Sequence, residues 1–265
     1  NGILHGFSVD RVEHGVLGIF HDVQNAADTQ DGTHELTRPV RDLCQVTFQP
    51  SFHLVEQGFQ HFLAETSDCA DVNTYLARFE LPLQLMQDAP SIARVTKDLM
   101  TELSRQGHIY DEIRFAPQLH RREGLTQRQA IEAVLEGRRQ ALAENPGYDA
   151  GILLCAMCIG PETVNMAENL ETVRLAKEFL GRGVVGADLA GAEGIVPLQS
   201  FHPVFDLARE LGVPATCHAG DSQGPDTVRD ALSFGVRRIG HGHHIYDEPS
   251  LWEPAIARGV TLEIC

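Results

Sequence analysis

Apolar segments of strand length alternate with segments of helical periodicity from about Val72 to Cys265, and no linker breaks the alternation. Strands separated by helical crossovers run parallel, and a parallel sheet has to be covered by those helices. Strands are expected near residues 109, 151, 184, 215, 238 and 261. Helices are expected over Ile92–Leu103, Thr126–Ala143, Asn169–Leu180, Pro203–Leu211, Pro225–Phe234 and Pro249–Arg258. A further helix, 72–86, carries Tyr75, Leu76, Phe79, Leu83 and Met86 at helical spacing. Thr126 is placed to cap its helix, Asn145-Pro146-Gly147 stops it, and Pro117 closes the first strand. About six parallel strands with helical crossovers are the repeat of a TIM-type (β/α) barrel, an α/β fold.

Such a barrel works at the C-terminal ends of its strands, and two of those ends stand out. Ala215-Thr216-Cys217 leads into His218-Ala219-Gly220-Asp221, and Arg238-Ile239-Gly240 leads into His241-Gly242. Each segment delivers one imidazole to a common mouth. Glycine follows at once, where a ligand or metal needs close backbone approach.

Composition narrows the partners. The 265 residues include 21 Lys+Arg against 37 Asp+Glu, a net charge of −16. Nucleic acid and anionic membranes draw on clustered positive charge, so neither is expected. No apolar run is long enough for a membrane span, and no signal peptide is expected. Cysteines at 44, 69, 155, 158, 217 and 265 are too irregularly spaced for a disulfide scaffold, which fits a cytoplasmic location. Cys155 and Cys158 make a C-x-x-C with no second pair to complete a zinc site, and they read as structural or mouth-lining. Residues 1–70 hold His5, His14, His21, His34, His53 and His61 without ligand spacing, and this segment is left unassigned.

Five segments in order, Tyr75-Leu76-Ala77-Arg78-Phe79, Tyr110 to Pro117, Asp188-Leu189-Ala190-Gly191-Ala192-Glu193, His218-Ala219-Gly220-Asp221 and Arg238-Ile239-Gly240-His241-Gly242, resemble the adenosine deaminase family of metal-dependent barrel hydrolases. The resemblance covers residues 71–265. It implies zinc-assisted hydrolytic deamination of adenosine or a related purine nucleoside, a small-molecule substrate. By the same resemblance, His218 is a zinc ligand and His241 orients the attacking water. Gly191 lets the backbone meet the flat base. Asp221, where the family has Glu, is the acid that protonates the ring nitrogen, a role that needs a raised pKa.

Departures from the family bear on activity. Asp is shorter than Glu by roughly 1.5 Å, and a misplacement of about 1 Å can cost about 10²-fold. The family's His-x-His metal pair on the first strand has no match in residues 1–70, and its paired aspartates on the eighth strand have none either. The expectation is therefore an incomplete barrel, a truncated member with impaired activity. Its open sheet edges invite self-association. The alternatives are a non-catalytic fragment, or an amidohydrolase acting on another substrate.

Several residues also have plainer readings. His218 alone could be a core histidine, and Asp221 could cap the following helix. Asp188 reads as a buried structural carboxylate, and Glu112 with Arg114 as an interior ion pair. His120, His202, His243 and His244 read as solvated loop residues.

Overall fold

The computed structural model describes residues 77–160 and 164–264, apart from the side chains of Arg78 and Leu81. The unassigned segment 1–70, the first residues of the expected helix 72–86 and Cys265 lie outside the described residues. The chain divides into two compact units. One holds Glu112–Gln118 and the residues from Gly151 onward; the other holds the described residues up to Asp111 with Leu119–Ala150.

The second unit is built on helices. A 3-10 turn, Ala77–Phe79, leads into α1 (Glu80–Leu85), followed by α2 (Ala89–Arg105) and α3 (Gln127–Glu144). Asp88 caps α2 by accepting from the Ser91 amide at 2.8 Å. Thr126 caps α3 as expected: its hydroxyl accepts from the Gln129 amide at 3.2 Å while Gln129 reaches back to the Thr126 amide at 2.9 Å. This reciprocal pair satisfies two amides that the first helical turn leaves without partners. Gly137 lies in the middle of α3, where glycine costs about 1 kcal/mol relative to alanine. A Cβ there would collide with the Ala93 carbonyl, so the residue sets how closely α2 and α3 approach. His120 departs from the expectation of a solvated loop residue. It is 1% exposed, and its Nδ1 lies 2.7 Å from the Met86 carbonyl.

The first unit contains the sheet. Its strands are β1 (Tyr110–Phe115), β2 (Asp149–Cys158), β3 (Val184–Gly191), β4 (Thr216–Ala219), β5 (Arg238–His241) and β6 (Thr261–Glu263), of which β1 and β2 each begin two residues before the segment of the unit that holds them. They pair in the order β1-β2-β3 and β4-β5-β6. A parallel bridge between Ala187 and Ala215, with the Ala187 amide donating to Pro214 O at 2.9 Å, joins the two sets. All six expected strands are present, in chain order and parallel where their register is defined. The fold is thus α/β with an incomplete (β/α) barrel.

Between the strands lie α4 (Met166–Phe179), α5 (His202–Leu211), α6 (Pro225–Phe234) and α7 (Trp252–Ala257). Val228, Ala231 and Leu232 of α6 are all buried, as their single stripe predicts. The helix expected over 249–258 is split into a 3-10 turn, Pro249–Leu251, and α7. Pro254 falls in the first turn of α7, where its missing N–H costs nothing. In β2, Ala150 to Ala156 is buried without a break, the signature of a strand covered on both faces. Among the described residues no helix is long and apolar enough to cross a membrane.

Candidate active site

His218 pairs with Gly240 and Ala219 with His241, so strand alternation alone would send the two imidazoles to opposite faces. His241 ends its strand with φ 64°, outside the extended region, and its ring comes back beside His218. Their ring centroids are 5.2 Å apart, at 64°. A Cβ on Gly240 would sit 3.1–3.3 Å from the His218 ring, so glycine at this position is what admits the imidazole.

The ring of His218 is oriented from behind. Its Nδ1 lies 3.1 and 3.2 Å from the two oxygens of Asp188, whose side chain is fully buried. A ring nitrogen facing a carboxylate carries a proton, so Nδ1 is the end of the ring that Asp188 holds. The nearest partner of Nε2 is Arg114 Nη1, at 3.5 Å. Burial favours the neutral form of Asp188, but His218 and Arg114 outweigh it and hold the carboxyl far below the usual range. Asp188 is therefore the buried carboxylate that was expected, and it also orients the candidate ligand.

Glu112 and Arg114 do not pair with each other. They are two residues apart on one strand, and each reaches a different neighbour. Arg114 donates to Glu263 of β6 and lies 3.7 Å from Asp188, whereas Glu112 accepts from Arg238 of β5, which also donates to Glu263. The barrel interior thus holds two guanidinium groups among three carboxylates. Burial works against the charge on Arg114, and Asp188 with Glu263 more than offsets it, raising the guanidinium pKa.

His241 has φ 64°, the left-handed region that a bulky residue seldom enters. Burial and the neighbouring His218 outweigh Asp221 and push its pKa down to about 4, so the ring is neutral at neutral pH. Asp221 Oδ1 lies 3.7 Å from His241 Nδ1, and its side chain is 42% exposed. Asp221 does not cap the next helix: Gly224 occupies the N-cap of α6, with no side-chain cap bond. His243 and His244 lie on a 3-10 turn, His243–Asp247, and His202 opens α5 rather than lying in a loop. His202 and His244 pair with Asp206 and Asp247.

Glu193 has a role that the sequence did not suggest. Its carboxylate accepts from the backbone amides of Gly220, Asp221, Ser222 and Gln223 at 2.7–3.0 Å, and from the Thr227 hydroxyl at 2.7 Å. It gathers the loop that carries Asp221. Gly191 has φ 110°, and a Cβ would run into the Cys158 carbonyl, so packing against β2 requires glycine here in any case. A pocket lined by Cys158, Gly191, Glu193, His218, Gln223 and Thr227 opens beside these groups. Cys155 and Cys158 are buried free thiols, and Cys158 is mouth-lining, as expected.

The donor chemistry of His218 suits one place in a zinc shell, because a ligating imidazole with its other nitrogen on a carboxylate is the usual arrangement. Among the described residues, one group of three or more metal-type donors lies within mutual reach. It is Asp221, His241 and His243, and His218 is not part of it.

Imidazoles and carboxylates thus gather at the C-terminal ends of parallel strands, where a (β/α) barrel carries its site. The family model described as adenosine deaminase matches residues 54–265, and the chain belongs to that family. It is 41% identical over 207 residues to the adenosine deaminase of Haemophilus ducreyi, covering 77% of this chain and 59% of that protein. With the adenosine deaminase of Clostridium perfringens it shares 37% identity over 207 residues, 78% of this chain and 61% of that one. The chain therefore spans about three-fifths of the length of these relatives. Arabidopsis ADAL complexed with IMP has the same fold, with a TM-score of 0.72 and 22% identity over 98% of this chain and 71% of that one. So does a Burkholderia ambifaria amidohydrolase with bound zinc, with a TM-score of 0.74 and 18% identity over 97% and 65% of the two chains.

Proposed function

We propose that this chain carries out the hydrolytic deamination of adenosine or a related purine, replacing the amino group at C6 by oxygen and releasing ammonia. The observation that carries this reading is the convergence of His218 and His241, with ring centroids 5.2 Å apart beside the pocket that Gly191 lines. His218, oriented by Asp188, would supply one ligand to a zinc ion, which usually takes three from the protein, and the chemistry such an ion would supply is a water acidified towards neutrality. His241, neutral at neutral pH, accepts a proton from the attacking water, and that proton goes to the departing amino group, which leaves as ammonia. Asp221 donates a proton to the ring nitrogen. The backbone around Gly191 meets the edge of the base. The function is assigned to residues 71–265, in the cytoplasm, where the buried thiols stay reduced.

The reaction is slow in this reading, because Asp221 is both shorter than the family's glutamate and 42% exposed. That exposure also favours a second reading, a non-catalytic purine-binding fragment. The test is ammonia release from adenosine, deoxyadenosine and adenine by the purified 265-residue chain with zinc added, alongside zinc content by mass spectrometry. The expected result is less than one zinc per chain as purified, and slow release that the first equivalent of zinc increases and His241→Ala abolishes. No ammonia from any of the three purines with zinc present would sink the catalytic reading. Turnover of an amide or phosphoester instead would reassign the substrate.

A further inference from the structure

The structure assigns a second cation site to Asp221, His241 and His243, separate from His218 and selective for imidazole-preferring divalent ions. One donor atom from each residue lies within 4.8 Å of the other two. The rings of His241 and His243 are 5.6 Å apart, at 49°. Residues two apart would fan out along an ordinary turn. Here His241 at φ 64° and Gly242 at φ 69° take two successive left-handed conformations that bring the flanking imidazoles together beside Asp221. A left-handed conformation at a residue as large as histidine carries a cost, and such costs concentrate at functional positions.

The backbone under the donors is fastened. Gly242 N–H donates to Ala219 O at 3.0 Å and His244 N–H to Gly220 O at 3.3 Å, tying the β5 loop to the β4 loop. Glu193 holds the Gly220 and Asp221 amides at 2.7 and 3.0 Å. Only side-chain rotation is left to close the site. Bonds of about 2.0–2.1 Å to a tetrahedral ion put donor atoms roughly 3.3 Å apart. The widest gap must therefore narrow by at most about 1.5 Å, within reach of the exposed Asp221 and His243 side chains. Two imidazoles with one carboxylate select Zn²⁺, Co²⁺, Ni²⁺ or Cu²⁺ over Mg²⁺ or Ca²⁺. The consequence rests on the deaminase reading: an ion here takes both the acid and the water-orienting base out of the reaction and acts as a brake. Binding itself does not depend on that reading.

The test titrates the chelator-treated 265-residue chain with Co²⁺, following d–d absorption, and with Zn²⁺ by calorimetry. His243→Ala should weaken the site at least about tenfold, since losing even an outer-shell partner does as much. His244→Ala should not, because that imidazole is engaged by Asp247. His218→Ala should leave this site intact, which separates it from the zinc place in the deaminase reading. Comparing variants also subtracts any affinity contributed by the six histidines between His5 and His61. Asp221→Asn, a near-isosteric change, is a second variant expected to weaken binding with the melting temperature unchanged. The proposal is overturned if the wild-type chain takes up no Co²⁺, if His243→Ala binds as wild type does, or if His218→Ala removes all binding. Binding by the wild-type chain, with no ammonia release even from His243→Ala, in which the brake is weakened, would leave this site standing while the deaminase reading failed.

Discussion

Replacing Arg114 by methionine tests the interior charge network. Arg114 is 8% exposed, and its guanidinium donates to Glu263 and lies 3.7 Å from Asp188. At an effective dielectric near 20, one such contact is worth about 4 kcal/mol before desolvation. Methionine fills much of the volume and removes the cost of burying a cation. It also strips two buried carboxylates of a shared partner. Glu263 keeps Arg238, and Asp188 keeps His218. One-sided removal of a buried pair costs about 3–5 kcal/mol, and with these remaining partners the lower end, about 3 kcal/mol, is expected. Trp252 is the single tryptophan and lies in α7 of the same unit, its Nε1 donating to Ile245 O at 2.8 Å, so its fluorescence reports this unit during urea unfolding. At a slope of about 3 kcal/mol per molar urea, the midpoint should fall by about 1 M. Glu263→Gln should cost at least about 1 kcal/mol less in the Arg114→Met background than in the wild type. A loss under about 1 kcal/mol, or no coupling in that cycle, would refute the claim that this pair holds the barrel interior.

Other changes read out the mouth and the second unit. Glu193→Gln replaces a charged acceptor of four backbone amides, and about 2 kcal/mol of local stability should go with it. Hydrogen exchange should speed up at Gly220–Gln223 while β2 stays protected. Gly240→Ala places a methyl 3.1–3.3 Å from the His218 ring, so ammonia release should fall with little change in the urea midpoint. Burial pushes the His120 pKa below its ordinary value, against the pull of the Met86 carbonyl, so the unfolded chain binds the proton first as pH falls. His120 thus contributes full stability above about pH 6.5 and loses it below that, at up to about 1.4 kcal/mol per pH unit; His120→Gln should flatten the decline of unfolding free energy between pH 6.5 and 5.

What the sequence disclosed was what is local or repeated. Strand positions follow from short apolar runs between helical segments, and the Thr126 cap from threonine with glutamine three residues on. That His218 and His241 reach one end of the sheet follows from the repeat, because adjacent parallel strands end together; that their rings meet depends on the left-handed conformation at His241, which the sequence did not disclose. Contacts set by distant parts of the chain were not visible. Arg114 finds Glu263 149 residues away, so a reading of its own strand paired it with Glu112 instead. A glutamate inside the apolar strand Thr261–Glu263 was the available hint that a buried cation awaited it. Glu193 left no hint, since its main partners are backbone amides 27–30 residues on, and amides carry no side-chain pattern. His120 looked solvated because nothing near it in sequence shows that the Met86 carbonyl, 34 residues away, covers it.

Most of what shapes the mouth does not pass through a metal. Asp188 sets the His218 ring from behind and Gly240 leaves it room. Glu193 gathers the β4 loop, and two backbone hydrogen bonds tie that loop to the one after β5. Each of these contacts is complete within β3, β4, β5 and the loops that follow them. The geometry of the two imidazoles is therefore a property of the fold, and Asp188 can stay ionised at full burial because Arg114 and His218 share its charge. Weak metal uptake by this chain would then reflect how many donors reach the ion rather than disorder among them. Substitutions at His218 and His243 can accordingly be read as changes in donor number on a fixed frame, which is why those two variants separate the zinc place from the second cation site.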